Sequence, residues 1–222
     1  MNKKSITAIH GAGMTGAVWN DLKALCPLSA LELPPHLSSI EDMAAWVAGQ
    51  LKENTVLMGH SMGALVALEA SGHPAVTDVI LLGAAATMPV NADLLKTARD
   101  DPARAAELVL KWSVPSSNPR SSEIKSALAK TMRPETIAAH LTACDEYKNG
   151  AARAREFQKP ALVISGALDK MAPAAGAESL SRLFSRGRFM LLPDRGHMPM
   201  AESPEETAAA IRSFIDINNP NA

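Results

Sequence analysis

The stretch TVLMGHSMGALVALEA, residues 55–70, decides the fold: an apolar run from Thr55 to Met58 passes through Gly59-His60-Ser61-Met62-Gly63 into a helical run from Ala64 to Ala70. A short apolar segment with turn residues behind it reads as a buried strand, so the whole is strand, tight turn and helix. Glycines two residues to either side of Ser61 let strand and helix approach closely around the turn. The turn also places Ser61 at a helix N-terminus, where free backbone N–H groups favour negative charge. A serine that merely occupies a turn is the competing reading of the pentapeptide alone, and the rest of the chain has to decide.

Working outward, the same alternation recurs. Short Val-, Ile- and Leu-rich runs near Ile6–Ile9, Leu28–Leu33, Thr55–Met58, Val76–Leu82, Ala161–Ser165 and Phe189–Leu192 are separated by stretches of helical period. Six such strands predict an α/β fold with a mostly parallel, doubly wound sheet covered by helices on both faces. Ser38 with Glu41 three residues on, followed by Ile40, Met43, Val47 and Leu51, predicts a capped amphipathic helix. Ser203, Pro204 and Glu206 predict another N-terminus, combining an N-cap, a first-turn proline and a capping-box acid. The alternation breaks from Met88 to Pro160, where helical patterns run on without a strand: Leu94, Leu95 and Ala98; Ala105, Leu108, Val109 and Trp112; Ile137, Leu141 and Cys144. Asp101-Pro102 and Arg133-Pro134 mark helix starts there. The expectation is one domain over residues 1–222 with 88–160 as an inserted helical cap, in which Trp112 faces either a pocket or the cap interior.

Composition narrows the function class. With 222 residues, 47% hydrophobic and 20% charged, the chain can bury a sizeable core as one folded unit. Its 22 basic and 23 acidic residues, with no dense basic block, give no footprint for nucleic acid or an anionic membrane. Met1–Lys4 is polar and the apolar segment behind it is too short for a signal-peptide core; no segment has the apolar length of a membrane span. A cytoplasmic protein with Cys26 and Cys144 as reduced thiols is expected.

Four motifs together carry a resemblance. His10-Gly11-Ala12-Gly13 after the first strand, Gly59 to Gly63 after the third, Asp169 after the fifth and Gly196-His197-Met198-Pro199 after the sixth are similar to the α/β-hydrolase family over nearly the whole chain. The resemblance implies a serine hydrolase whose triad follows the order Ser, Asp, His: Ser61 as nucleophile, Asp169 as the acid that orients the base, His197 as base. It implies an oxyanion hole from the backbone N–H groups of Ala12 and Met62. It further implies the strand order 2-1-3-4-5-6, with the family's usual N-terminal antiparallel pair absent and the sheet edge near Leu31 more exposed. Asp194, three residues before His197, competes with Asp169 for the acid role. His10 and His60 are expected to brace loops, and His36, His73 and His140, without motif context, to lie at the surface or in loops. The methionines, among them Met62, Met198 and Met200, are expected to fill core and pocket.

The expected activity is hydrolysis of a small, largely apolar carboxylic ester through an acyl-enzyme on Ser61, with no cofactor or metal and a small-molecule ester as partner. Thioesterase, amidase and carbon–carbon bond hydrolase activities share the same machinery. Met198, where hydroxynitrile lyases of similar sequence place a lysine, weighs against lyase chemistry. Serine rather than aspartate at the elbow weighs against epoxide hydrolases and haloalkane dehalogenases. Two readings of other classes remain. A hydrolase fold can serve as a non-catalytic small-molecule receptor. Gly11, Gly13 and Gly16 also match Gly-x-Gly-x-x-Gly after a strand, with Glu32 downstream, the fingerprint of an NAD-dependent oxidoreductase.

Overall fold

The computed structural model describes residues 4–218. Its strands are β1 Ser5–Ile9, β2 Leu28–Leu31, β3 Thr55–His60, β4 Val76–Leu82, β5 Ala161–Gly166 and β6 Gly187–Leu192. They form one sheet in the order β2-β1-β3-β4-β5-β6, with every neighbouring pair parallel. This is the order the resemblance implied. The helices, in chain order, are α1 Asn20–Lys23, α2 Ile40–Ala48, α3 Met62–Ala70, α4 Ala92–Asp100, α5 Pro102–Ser113, α6 Ser121–Ala129, α7 Pro134–Glu146, α8 Gly150–Glu156, α9 Ala174–Leu183, α10 Pro199–Glu202 and α11 Pro204–Ile217. A single 3-10 turn, Gly16–Trp19, precedes α1.

The period of two along each strand divides the core into two layers. Ile6, Ala8, Val56, Met58, Ile80, Leu82, Leu162 and Ile164 face one side, against Trp19, Leu22, Ile211 and Phe214. Ile9, Leu57, Val79, Leu81 and Val163 face the other, against Met43 and Val47 of α2, Leu65 and Leu68 of α3, and Leu180 of α9. β2 and β6 are the two edges, and Leu31 on β2 is half-buried.

Two helix caps differ from expectation. The N-cap of α2 is Ser39, one residue beyond Ser38; its extended backbone (φ −124°, ψ 154°) turns Oγ to accept the Asp42 N–H at 3.0 Å. The helix ends at Ala48 with Gly49 as its C-cap, so Leu51 lies past its end. At α11 the start falls where expected, with Ser203 in the N-cap position and Pro204 and Glu206 in the first turn, but no capping box forms: Ser203 Oγ donates back to the Pro199 carbonyl. Asp101 does cap α5, accepting the Arg104 N–H at 3.0 Å.

The five helices α4 to α8 occupy the strandless stretch, but they do not lie together on one face. Ile124 and Leu128 of α6 join the core layer of Trp19 and Phe214, whereas Leu94, Val109 and Ile137 of α4, α5 and α7 join the opposite layer. α8 packs on α3 and α9 as an ordinary sheet-covering helix, burying Ala154. Among the described residues no helix is long and apolar enough to cross a membrane. Cys26 and Cys144 are buried and unbonded; Met1–Lys3, part of the expected polar start, lie outside the described residues.

Candidate active site

The elbow is built by close backbone approach. Ser61 sits between β3 and α3 with φ 53° and ψ −121°, a left-handed conformation costly for a residue with a Cβ. Its N–H donates to the Leu82 carbonyl at 2.9 Å, which ties the elbow to the end of β4. A Cβ at position 59 would stand 2.1 Å from the Gly63 carbonyl oxygen, and one at position 63 would stand 2.3 Å from the Ile9 carbonyl oxygen. Only glycine fits at either place, which is the physical content of the motif.

His197 lies on the loop after β6 and is held from every side. Its Nδ1 is 2.8 Å from Asp169 Oδ2, both residues being buried. Its N–H donates to the Ser113 carbonyl at the end of α5, and its carbonyl accepts from His60 Nε2 at 2.9 Å. Its Nε2 has no hydrogen-bond partner among the described residues, and Ser61 and His197 line the same cavity. In unliganded sites the nucleophile–base hydrogen bond is often long and tightens only with substrate bound.

Asp169 divides its two oxygens between roles. Oδ2 faces the imidazole, and Oδ1 accepts the N–H groups of Met171 and Ala172 at 2.8 Å each. Burial alone would raise the pKa of this carboxyl, but the His197 charge and hydrogen bond, together with the two N–H groups, outweigh it and hold the acid below the usual range. The competing acid, Asp194, is exposed in a left-handed turn (φ 58°).

Ala12, in the loop after β1, lines the cavity, and Met62 opens α3. The N–H groups of both donate to no acceptor among the described residues. The cavity measures about 370 Å³ and is walled by apolar side chains, among them Met14, Met88, Leu94, Val109 and Leu141. Trp112 lies at its mouth, 40% exposed, so it faces the pocket rather than the interior of the helical stretch.

His10 and His60 brace loops, as the resemblance implied. His10 Nδ1 donates to the Gly11 carbonyl and its Nε2 accepts from the Leu33 N–H. His60 packs on the His197 ring with centroids 4.8 Å apart, and burial, with the His197 charge second, pushes its pKa down to about 3, so it stays neutral. His36 is exposed and His73 half-buried, but His140 corrects the expectation: it is 2% exposed and reaches the loop after β1.

Glu202 is the residue that sequence reasoning missed. From α10 its buried carboxylate accepts the N–H groups of Gly196 and Met198, the two neighbours of His197, at 2.9 and 3.0 Å. Its only sequence signal is an acid one helical turn after Met198. The dinucleotide reading fails on the same kind of contact: Glu32 Oε1 accepts the Gly16 N–H at 2.8 Å, so the acid meant for a ribose holds the loop itself. Gly16 then opens a single 3-10 turn, not the long helix whose N-terminus would face a pyrophosphate.

Known proteins agree with this architecture. The model of the alpha/beta hydrolase family matches residues 8–210. A pimeloyl-acyl-carrier-protein methyl ester esterase of Aromatoleum aromaticum is 26% identical over 97% of this chain and 99% of its own length; a protein of the same description from Neisseria meningitidis is 27% identical over 96% and 77%. Among solved structures, a thermophilic esterase from Thermogutta terrifontis superposes with a TM-score of 0.84 at 22% identity, covering 97% of this chain and 90% of that one. The enol-lactonase of Burkholderia xenovorans superposes equally well, at 0.84 and 22%, covering 97% and 92%. With a strand–Ser61–helix elbow, a six-stranded parallel sheet and a family match over most of its length, the chain belongs to the alpha/beta hydrolase family.

Proposed function

We propose that the chain hydrolyses carboxylic esters through an acyl-enzyme on Ser61, with His197 as general base and Asp169 as the acid that orients it. The observation that carries this reading is the 2.8 Å contact between His197 Nδ1 and Asp169 Oδ2 beside a cavity that Ser61 also lines. With Nδ1–H given to Asp169, Nε2 is left with the lone pair that takes the serine proton. The Ala12 and Met62 N–H groups then receive the charge that develops on the carbonyl oxygen. Collapse of the tetrahedral intermediate expels the alcohol, which takes its proton from His197, and water repeats the cycle to release the acid.

The apolar walls suit an acyl chain, and helices α4, α5 and α7 act as the cap that shapes the space for it. The relatives named above are pimeloyl-acyl-carrier-protein methyl ester esterases, which supports an ester in preference to a thioester, amide or carbon–carbon bond. A receptor role would leave the His197–Asp169 pair and the strained elbow without use. The test is labelling with a fluorophosphonate probe, together with turnover of p-nitrophenyl and methyl esters of medium-chain acids. Labelling is expected at Ser61, and Ser61→Ala should abolish both labelling and turnover; label on another serine, or turnover surviving in the variant, would reject the assignment.

A further inference from the structure

The loop that carries Ala12 is gripped by α7. Gly13, next to Ala12, takes a left-handed conformation (φ 65°), and both of its backbone polar groups go to that helix or its start. Its N–H donates to His140 Nδ1 at 3.0 Å, and its carbonyl accepts the Arg133 N–H at 2.6 Å. Ile137 lies over its α-carbon, within 3.1 Å of where a Cβ would stand, and Met14 makes an antiparallel bridge with Met132. The next residue on α7 after His140 is Leu141, and one turn further is Cys144; both line the cavity.

His140 does more than fill space at this contact. Because Nδ1 accepts the Gly13 N–H, the ring proton must sit on Nε2, which is buried without a partner among the described residues. A side chain serving only to pack would avoid the cost of that orphan donor. Burial pushes the pKa of His140 down to about 4, so near neutral pH the ring is uncharged and the Nδ1 lone pair is available to accept.

We infer that His140 is a positioning residue for the oxyanion loop: its Nδ1 fixes the Ala12–Gly13 peptide, and with it the Ala12 N–H, while its helix reads whether the acyl pocket is filled. Only the two backbone torsions of Ala12 separate the peptide held by His140 from the N–H that meets the substrate oxygen. An acyl chain that packs on Leu141 and Cys144 therefore presses on the element that orients the donor, and part of its binding energy appears in turnover. The inference rests on the ester-hydrolase reading above.

The experiment compares the wild type with His140→Leu, which removes the acceptor, and His140→Asn, which offers an amide oxygen near the place of Nδ1. kcat and KM are measured separately on p-nitrophenyl esters of increasing acyl length, with inhibition by an alkyl trifluoromethyl ketone, which forms an oxyanionic adduct on serine. For His140→Leu the expected result is a loss of about tenfold to a hundredfold in kcat, below the 10²–10³ lost when an oxyanion donor is removed outright. KM should stay nearly constant and ketone affinity should fall by the same factor as kcat. In the wild type kcat should rise with acyl length; His140→Leu should flatten that rise, and His140→Asn should restore most of it. A folded His140→Leu with unchanged kcat, a loss confined to KM, or no recovery in His140→Asn overturns the inference.

Should His140→Leu not fold, nitrogen NMR of the wild type still decides, since a proton on Nδ1 of His140 is incompatible with the Gly13 contact and overturns the inference. Absence of any Ser61-dependent ester turnover overturns the functional reading and this inference with it. Ser61-dependent turnover with His140→Leu unaffected overturns this inference alone.

Discussion

At the scale of single residues, chain order and position after a strand pointed to Asp169 over Asp194, and the contacts of the two carboxylates differ. Asp169 touches the imidazole at 2.8 Å and is buried, whereas the carboxylate of Asp194 makes no hydrogen bond among the described residues. Burial would raise the Asp169 pKa, but the His197 charge and hydrogen bond and the two backbone N–H groups hold it below the usual carboxylate range, which favours the ionised form. Asp169→Asn presents an amide that favours the wrong tautomer and cannot stabilise the imidazolium, a change that costs about 10⁴-fold in turnover in a serine-protease triad, and a loss of that order is expected here. Asp194→Asn should leave turnover close to wild type, because asparagine also tolerates the left-handed backbone that Asp194 adopts. Turnover and melting temperature measured together on both variants decide it; a reversed ranking would move the acid to Asp194. His140 marks the limit of reading by residue. It has no motif around it, and its partner is a backbone N–H 127 positions away that only folding brings near.

Elements were legible wherever the local pattern is self-sufficient. The central strands β1, β3, β4 and β5 were readable because a buried parallel strand is a short, mostly apolar run; the edge strands β2 and β6, largely unburied, were readable by their short Leu-containing runs, and the glycines around Ser61 were forced by backbone approach. Helix starts were less legible, because a cap depends on which of two adjacent serines takes the extended backbone. Ser38 with Glu41 and Ser39 with Asp42 are equally good capping patterns on paper; the structure uses the second, and Ser38 stays exposed. Ser39→Ala should therefore lower stability by about 1 kcal/mol in urea unfolding. Ser38→Ala should change it by less than about 0.5 kcal/mol, as for an ordinary surface substitution. Equal effects would mean that the two serines share the cap. Glu32 shows the same limit: its spacing from Gly16 fits a nucleotide fingerprint, and only the 2.8 Å bond to the Gly16 N–H reveals its use.

For the whole molecule, the strandless stretch was legible as helix and illegible as arrangement, because amphipathic periodicity says that a face is buried without saying against what. Ile124 and Leu128 read no differently from Leu94 and Ala98, yet they enter opposite core layers. The last helices of the stretch are fastened to the elbow helix by one polar cluster. Glu69 on α3 accepts from Arg153 of α8 at 2.7 Å through Nη2 and 3.1 Å through Nε, and from the Tyr147 hydroxyl just past α7 at 2.8 Å. Burial would raise the pKa of Glu69, but its bonds to Arg153 and Tyr147 prevail and depress it below the ordinary value of 4.5. A depressed carboxyl contributes stability that is fully present above its unfolded pKa and is lost as pH falls through the folded one. Glu69→Gln should thus unfold at lower denaturant concentration than the wild type at pH 7, with the two approaching each other as pH drops below about 4.5. Glu123→Gln, which breaks the exposed ion pair with Arg120 one turn away on α6, should shift the midpoint little at any pH, since exposed pairs are screened by solvent. Urea midpoints across pH 3 to 8 for the three proteins test this directly. Parallel curves for wild type and Glu69→Gln would show that the cluster holds the helices by packing alone, whereas convergence at low pH would identify the Glu69 charge as the fastening between α8 and α3, the helix that follows Ser61.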